Sequence, residues 1–306
     1  MSEKIKITFL GTSSAVPTVT RNHSSIYLKY KNEDILIDCG EGTQRQLRKA
    51  KINPCKITRL LITHIHGDHV FGIPGLFKTL TFNDYNKTLQ IYGPKGTKEF
   101  IKNIFKTFIA TKIKVNVKVN EVKNKVFETP DFSMTSLPLD HGTPTLGYVF
   151  QEKQKIRINK AKLKKLKISA KDKFKLRKLL QKKNIKIKNK TIKYKDLTYF
   201  EKARKISFVL DTGPCPNLSK LVKNSDIAII ESTFLDKDKY VVSKEKTHKH
   251  LTAEQAAKTA KKANVKKLYL THLSQRYEYD SNSMLKEAKK FFPTAEIARD
   301  FLEVEI

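Results

Sequence analysis

One short segment, THIHGDH at residues 63–69, carries side chains that could bind metal ions. It begins at the end of an apolar run, RLLIT, which predicts a buried strand. Residues two apart after a strand project to the same side, so His64 and His66 can chelate one cation. Asp68 and His69 lie beyond a glycine turn and can reach a second cation. Imidazole and carboxylate ligands without thiolate favour zinc in an open, catalytic coordination, and two such ions would hold a hydroxide between them.

Three further polar residues also follow apolar runs. His141 comes after SLPLD, Asp211 after SFVL and His272 after LYLT. Polar residues at strand ends converge on one rim of a sheet, where sites assemble in layered α/β folds. Each residue taken alone could equally be a satisfied loop histidine or a capping aspartate. Their shared position at strand ends predicts that they belong to the same site as THIHGDH.

Short strand-like runs alternate with helical patterns along most of the chain, which predicts a mixed α/β layered domain. The predicted strands cover residues 4–10, 24–30, 34–40, 59–63, 89–93, 114–119, 205–213, 226–233 and 267–272. The predicted helices cover residues 44–50, 74–82, 98–108, 253–263 and 281–292. Thr43 and Thr252 are the expected N-cap residues of the first and fourth of these helices.

Positive charge is concentrated in one segment. The 306 residues carry a formal net charge of +32 and are 39% hydrophobic, which is enough for a sizeable core. Residues 151–205 contain 20 Lys and 3 Arg against 2 Asp and 2 Glu, hence a charge of +19 in under a fifth of the chain. No Gly or Pro occurs in residues 148–212. We interpret 151–205 as an insertion that binds a polyanion, within a single domain formed by residues 1–150 and 206–306.

The cysteines and the lengths of the apolar runs indicate the cellular compartment of the protein. Cys39, Cys55 and Cys215 are scattered without a CxxC pair, which argues against a disulfide framework and favours a reducing compartment. We expect all three to be small buried or loop residues rather than metal ligands. No apolar run approaches the length of a membrane span, and the start MSEKIKITFLG is not typical of a signal peptide. These features predict a cytoplasmic protein.

Segments along nearly the whole chain resemble the tRNase Z family, the short-form tRNA 3′-processing endoribonucleases of the metallo-β-lactamase superfamily. The superfamily shares HxHxDH, whereas GDHxxGxPGL and HLTAEQAA are more specific to this family. The other matching segments are FLGTSSAVPT (9–18), DCGEGTQ (38–44), YGPKG (92–96), DHGTPTLGY (140–148), LDTG (210–213), ESTF (231–234), THLSQRY (271–277) and DFLEV (300–304). The resemblance implies an α/β fold, the four-layer αββα metallo-β-lactamase fold, with a protruding basic exosite arm.

The resemblance also implies two Zn²⁺ ions per subunit and divides the ligands between them. It assigns His64, His66 and His141 to one ion and Asp68, His69 and His272 to the other. Asp211 would bridge both ions. His250 near Glu231 would complete the catalytic site without binding metal. The leaving ribose 3′-oxygen needs a proton, and a neighbouring carboxylate favours the protonated imidazole. His248 is a rival for this role, and His23 is expected to be a surface or loop residue.

The activity that the resemblance implies is zinc-dependent cleavage of 3′-extended precursor tRNA after the discriminator nucleotide. The products would be a tRNA with a 3′-hydroxyl and a trailer with a 5′-phosphate. An activated water would attack in line with the scissile phosphorus, with Asp68 accepting or orienting its proton and His250 assisting the leaving oxygen. Family resemblance alone implies a homodimer, in which the arm of one subunit presents tRNA to the active site of the other.

Several residues are candidates for RNA contact. In the loop VPTVTRN, Arg21 and Asn22 match the family, whereas Val19 stands where the family usually has lysine. Arg276 could contact phosphate or form a structural salt bridge. The insertion could be a helical hairpin or a short α/β arm, and it lacks the Gly-Pro element usual in the family's arm. Its candidate RNA-binding residues are Lys164, Lys165, Lys173, Lys175, Arg177 and Lys178.

Two other functions are compatible with parts of the sequence. A hydrolase of small thioesters, lactones or phosphodiesters would share the metal ligands but would not need an insertion with a charge of +19. A non-catalytic RNA-binding protein with structural zinc would not need the acid His250. The metal ligands, the acid and the basic insertion occur together, and this combination favours the endoribonuclease.

Overall fold

The computed structural model describes residues 3–107, 113–166, 170–187, 190–238 and 249–306. The chain divides into two compact units. The larger contains residues 1–128, 134–150 and 205–306, and the smaller contains residues 129–133 and 151–204. The basic segment predicted from the sequence, 151–205, nearly coincides with the smaller unit. The smaller unit also includes residues 129–133, and it excludes Lys205, which belongs to the larger unit.

Two seven-stranded sheets lie mainly in the larger unit, and only the ends of the strands Phe132–Asp140 and Pro144–Glu152 belong to the smaller unit. The first sheet has the order β18-β1-β2-β3-β4-β5-β6. Its strands, named in that order, are Glu303–Glu305, Ile5–Gly11, Ser25–Tyr30, Glu33–Ile37, Arg59–Leu61, Thr88–Gly93 and Asn116–Glu121. The pairs from β18 to β3 are antiparallel, and those from β3 to β6 are parallel. The sheet is therefore mixed, as the alternation of strands and helices predicted.

The second sheet has the order β17-β16-β15-β14-β9-β8-β7. Its strands, named in that order, are Glu296–Ile297, Lys267–Thr271, Ile227–Glu231, Lys205–Val209, Pro144–Glu152, Phe132–Asp140 and Lys125–Glu128. The four strands from β14 to β17 run parallel. Parallel neighbours bring the carboxyl ends of β14, β15 and β16 to one edge, and this edge carries much of the candidate site.

The inner faces of the two sheets pack against each other. The ring of Tyr30 in β2 lies 5.4 Å from that of Phe150 in β9, and the ring of Phe9 in β1 lies 5.9 Å from that of Tyr269 in β16. Leu10, the next residue of β1, packs on the opposite face with the helices. Strands covered on both faces read as continuous apolar runs, which explains sequences such as ITFL.

Helices cover the outer face of each sheet. The described α-helices, α1 to α10 in chain order, are Thr43–Lys49, Gly67–Val70, Ile73–Phe82, Thr97–Thr107, Lys160–Lys165, Leu176–Leu180, Tyr194–Leu197, Pro216–Val222, Ala253–Lys262 and Ser281–Lys289. One core cluster packs α1, α3 and α4 on the first sheet, and another packs α8, α9 and α10 on the second. The layers are therefore helix, sheet, sheet and helix, and the predicted αββα fold is confirmed. No helix among the described residues is both long enough and apolar enough to span a membrane.

The predicted helix caps have different outcomes. Thr252 caps α9 as expected, in a capping box in which its side chain accepts a hydrogen bond from Gln255 N and the Gln255 side chain accepts one from Thr252 N. The N-cap of α1 is Gly42, which has a φ of 74°, and Thr43 is the first helical residue. The prediction for Thr43 was wrong because its hydroxyl donates backward, to the Gly40 carbonyl.

The smaller unit is a short α/β assembly rather than a helical hairpin. Its strands pair as two antiparallel ribbons, β10 (Lys155–Ile158) with β13 (Thr198–Glu201) and β11 (Ile185–Ile187) with β12 (Lys190–Ile192). The helices α5, α6 and α7 belong to the same unit. A small core forms around buried Leu179, Ile185, Ile187 and Leu197.

Candidate functional site

The metal-binding candidates lie where strands of both sheets end. His64 and His66 follow β4, and Asp68 and His69 lie in the short helix α2. A strand that ends in a polar run leaves these side chains at the edge of the first sheet, as the sequence predicted.

The second sheet contributes its residues in the same way. His141 follows β8, Asp211 lies two residues beyond β14, and His272 follows β16. Asp211 and His272 have φ angles of 47° and 59°, and Asp38 after β3 has 57°. Residues other than glycine rarely adopt this left-handed conformation, so the surrounding structure must hold these three residues in place.

Four of these residues form a first donor group. The Nε2 atom of His64 lies 3.0 Å from Nδ1 of His66, which lies 3.2 Å from Nε2 of His141. The Oδ2 atom of Asp211 lies 3.6 Å from the His64 nitrogen and 3.4 Å from the His141 nitrogen. The four atoms therefore surround one small volume.

A second donor group lies beside the first and shares Asp211. The Nε2 atom of His69 lies 3.3 Å from Oδ2 of Asp68 and 3.3 Å from Nε2 of His272. The Oδ1 atom of Asp211 lies 3.3 Å from the His69 nitrogen and 3.0 Å from the His272 nitrogen. The two oxygens of Asp211 thus face different groups, so this carboxylate can bridge two ions.

Both groups fit a divalent metal ion. A tetrahedral ion with bonds of about 2.0–2.1 Å holds its ligand atoms roughly 3.3 Å apart. The spacings of 3.0–3.6 Å lie around that value. The Oδ1 atom of Asp211 is buried and accepts no hydrogen bond of ordinary geometry among the described residues. Buried polar atoms normally have a partner, and a cation between Oδ1 and the imidazole nitrogens supplies one.

Hydrogen bonds behind the donor groups orient the imidazole rings. The Nδ1 atom of His69 lies 2.6 Å from Oδ2 of Asp38, whose carboxylate also accepts bonds from N and Oγ1 of Thr63 at 2.7 Å. The Nδ1–H of His141 donates to the Lys249 carbonyl at 2.8 Å. Each bond leaves the other ring nitrogen facing the donor group. Sequence reasoning gave Asp38 and Thr63 no such role, although the apolar strand DILI directly before Asp38 was a usable signal.

His250 lies beside the two donor groups, with its ring centroid 4.9 Å from that of His141. Its Nδ1 atom lies 3.0 Å from Oε1 of the fully buried Glu231. That carboxylate also accepts hydrogen bonds from Thr212 N at 2.7 Å and from Thr233 Oγ1 at 2.6 Å. Burial lowers the pKa of His250, but the carboxylates of Glu231 and Asp211 together outweigh burial, and the net pKa is raised above its ordinary value. His250 can therefore act as a proton donor.

The donor groups and His250 open onto a pocket of about 470 Å³, large enough for a small ligand or part of a polymer. Two loops complete its wall. The first contributes Ser14, Ala15 and Val16, and the second contributes Ser274, Gln275 and Arg276. The pocket is thus catalytic on one side and lined by loop residues on the other.

Comparisons with known proteins identify the family. The first half of the chain falls within the family described as "Anti-Pycsar protein Apyc1", whose profile matches residues 5–158, and the profile "Beta-lactamase superfamily domain" matches residues 196–273. Ribonuclease Z of Methanothermobacter thermautotrophicus is 38% identical over 306 residues, covering 99% of this chain and 97% of the relative. Ribonuclease Z of Bacillus licheniformis is 36% identical, covering 99% of each chain. The chain belongs to the ribonuclease Z family.

Solved structures extend the ribonuclease Z likeness to the fold. The short form of human tRNase Z has a TM-score of 0.68 at 27% sequence identity, covering 98% of each chain. The metallo-β-lactamase fold protein YhfI from Bacillus subtilis has a TM-score of 0.70 at 17% identity, which shows the fold alone. The metallo-β-lactamase fold expected from the sequence is thereby confirmed.

Arg21 is the predicted RNA contact that the structure places differently. In this member of the ribonuclease Z family, Arg21 is only 9% exposed. Its Nη1 atom donates to Thr12 Oγ1 at 2.7 Å and to the Ala298 carbonyl at 2.6 Å. The guanidinium is therefore occupied inside the protein, not turned to RNA as predicted. The sequence could not reveal this because Ala298 lies 277 residues away.

The neighbours of Arg21 are also engaged. The side-chain amide of Asn22 donates to the Glu41 carbonyl at 2.7 Å, so it serves the loop in this structure. His23 was expected to be a surface or loop residue. It lies in the loop before β2 but is only 6% exposed, with its Nε2 atom 3.1 Å from the Ala15 carbonyl oxygen. Arg276, by contrast, is exposed and lines the pocket.

The basic candidates of the smaller unit are mostly exposed. We call five of them the arm cations: Lys164, Lys165, Lys173, Arg177 and Lys178. Lys175 is half-buried and pairs with Asp172 at 2.6 Å. His248, the rival of His250, lies outside the described residues.

Proposed function

We propose that this protein is a metal-dependent endoribonuclease that cleaves 3′-extended precursor tRNA directly after the discriminator nucleotide. Its products are a tRNA with a 3′-hydroxyl and a trailer with a 5′-phosphate. The chain matches ribonuclease Z over 99% of its residues. The observation that carries the proposal in this chain is the His250–Glu231 pair beside two donor groups that share Asp211.

Two zinc ions are the cofactors in this proposal, because the donors are imidazole nitrogens and carboxylate oxygens without thiolate. The ligands are those of the two donor groups, namely His64, His66, His141, Asp68, His69, His272 and the bridging Asp211. When bound, such ions supply Lewis acidity to the phosphate and lower the pKa of the attacking water. His69 and His141 donate hydrogen bonds from Nδ1 to Asp38 and to the Lys249 carbonyl, which leaves their Nε2 atoms free of protons for metal binding.

The chain's own residues move the protons. The carboxylate of Asp68 lines the pocket and accepts or orients the proton of the attacking water. Because Nδ1 of His250 faces Glu231, its Nε2–H is the donor available to the leaving 3′-oxygen. The raised pKa keeps more of this imidazole protonated near neutral pH.

The smaller unit serves in this proposal as the arm that holds the body of the tRNA. Its segment 151–205 carries +19 of the chain's +32 charge, and the arm cations are exposed. Phosphate contacts from such residues give affinity that falls with salt. We also propose a homodimer, in which the arm of one subunit presents tRNA to the other, and a cytoplasmic location, which the three free cysteines favour.

A hydrolase of small phosphodiesters is the second candidate. The observation that favours it is the pocket of about 470 Å³, which is large enough to hold a small ligand. Such an enzyme would use the same two donor groups but would gain nothing from the arm cations.

The two candidates are separated by testing two substrates in parallel. Zinc-loaded protein is incubated with end-labelled, 3′-extended precursor tRNA and with bis(p-nitrophenyl) phosphate. The expected result is a single RNA cut that releases a trailer with a 5′-phosphate, so a kinase can label the trailer's 5′ end only after phosphatase treatment. Hydrolysis of bis(p-nitrophenyl) phosphate with intact RNA would favour the second candidate instead.

A further inference from the structure

Two strongly exposed side chains on the loops that line the pocket have no part in the reaction described above. Tyr279 is 94% exposed and Val19 is 91% exposed. Tyr277, two residues earlier, is only 6% exposed, and its hydroxyl donates to Asp238 while accepting from Leu235 N. The segment thus buries one tyrosine for packing and holds the ring of the other in solvent.

Glu278 ties together the two loops that carry these side chains. Its Oε1 atom accepts hydrogen bonds from N of Thr20 at 3.2 Å and from Oγ1 of Thr20 at 3.4 Å. The Thr18 side chain and the backbone N–H of Val19 also face this carboxylate. Val19 therefore lies next to Glu278, which Tyr279 follows in the chain. The clamp therefore holds Val19 and Tyr279 near each other.

Both clamped loops belong to the wall of the pocket. Val16 and Arg276 line it, and each lies three residues from one of the two exposed side chains. An RNA whose scissile phosphate lies in the pocket must continue past its rim in both directions. A nucleotide that crosses the rim between these two loops would pass the segments that carry Val19 and Tyr279.

We propose that Tyr279, with Val19 beside it, forms a stacking surface for one unpaired base of the RNA next to the scissile phosphate. This inference rests on the proposed function, because it takes the substrate to be RNA. An exposed aromatic ring beside cations is the usual stacking platform for single-stranded RNA, and Arg276 on the same loop supplies a cation. The chain's net charge of +32 favours a polyanionic occupant over an ordinary protein surface.

The absence of tryptophan from the sequence allows a direct test. Tyr279→Trp introduces a sole tryptophan, whose fluorescence a stacked base quenches. Titration with 3′-extended precursor tRNA in chelator, where no cleavage occurs, should give saturable quenching. The matched control is Phe82→Trp, at a position 74% exposed at the end of α3 and absent from the pocket lining, which should show none. Saturable RNA binding by anisotropy with unchanged tryptophan fluorescence in Tyr279→Trp would overturn the proposal.

Kinetics separate this inference from the proposed function. Tyr279→Ala should raise KM for precursor tRNA about 10-fold while kcat changes less than twofold, and Tyr279→Phe should restore the wild-type KM. If wild type cleaves RNA and Tyr279→Ala has the same KM, the stacking surface is refuted and the endoribonuclease stands. If wild type leaves RNA intact but RNA quenches Tyr279→Trp, the endoribonuclease is refuted and the stacking surface stands. RNA that does not bind at all refutes both.

Discussion

Glu231→Gln tests how the acid of the proposed reaction is tuned. The substitution removes one negative charge from a fully buried position at nearly constant volume. It acts at a distance of 3.0 Å from Nδ1 of His250. An opposite charge this close typically changes the pKa of an ionisable group by roughly 1–3 pH units. Without the carboxylate, burial dominates, and we expect the pKa of His250 to fall.

The sign of the effect on activity follows from the role of His250. A general acid works in its protonated form, so activity is lost as pH rises through the pKa of His250. The raised pKa extends activity to higher pH, and Glu231→Gln should move the basic limb of the pH–rate profile to lower pH by about 1 pH unit or more. A basic limb that lies one pH unit lower gives a rate about 10-fold lower at a pH above the limb.

The measurement is single-turnover cleavage of precursor tRNA by zinc-loaded protein between about pH 6 and pH 9, a range that brackets the histidine pKa. Zinc content is measured on each sample, so that loss of metal is not mistaken for loss of acid. The matched control is Glu303→Gln in β18, an exposed carboxylate that pairs with Lys6, which should leave the profile unchanged. A Glu231→Gln variant with full zinc and an unmoved basic limb would refute the role of the pair.

Three further perturbations have distinct expected outcomes. Asp211→Asn places an amide between the two donor groups. The zinc content, measured by elemental analysis, should fall, and the rate of cleavage should drop more than about 100-fold. Full metal content would contradict the bridging role. Replacing all five arm cations by Gln should raise KM for precursor tRNA. It should also reduce the slope of log KM against log salt concentration by up to about 0.9 for each phosphate contact that is lost. An equal loss of activity on bis(p-nitrophenyl) phosphate would instead indicate that the smaller unit has a structural role. Arg21→Gln should lower the free energy of unfolding, measured in urea, by about 2–4 kcal/mol, because the guanidinium forms hydrogen bonds inside the protein. The KM for precursor tRNA should change less than twofold. A large change in KM at unchanged stability would support the predicted RNA contact of Arg21 instead.

Local sequence rules predicted that the donor residues lie together, whereas the assignment of His141, His272 and the bridging Asp211 to particular ions came from the family resemblance. In THIHGDH the spacing alone separates His64 and His66 from Asp68 and His69. The other donors stand directly after apolar runs, and the parallel pairing of β14, β15 and β16 brings such positions to one edge. Nine strands and five helices followed from the same runs, with ends displaced by a few residues, whereas β7, β9, β17, β18 and α8 were not among the predicted elements.

Other features depend on contacts between distant parts of the chain, which no local pattern encodes. The burial of Arg21 depends on Ala298, and the clamp of Glu278 on Thr20 spans 258 residues. Helical spacing in the insertion suggested a hairpin as one alternative, but Leu179 packs instead with residues of β11 and α7 into a small core. These contacts follow from the three-dimensional fold and could not be predicted from local sequence patterns.

The most direct test of the central claim is cleavage of labelled, 3′-extended precursor tRNA by zinc-loaded protein, with and without a chelator. The account predicts one cut directly after the discriminator nucleotide, lost in chelator and restored by added zinc. Zinc-loaded protein that leaves the precursor intact would contradict it.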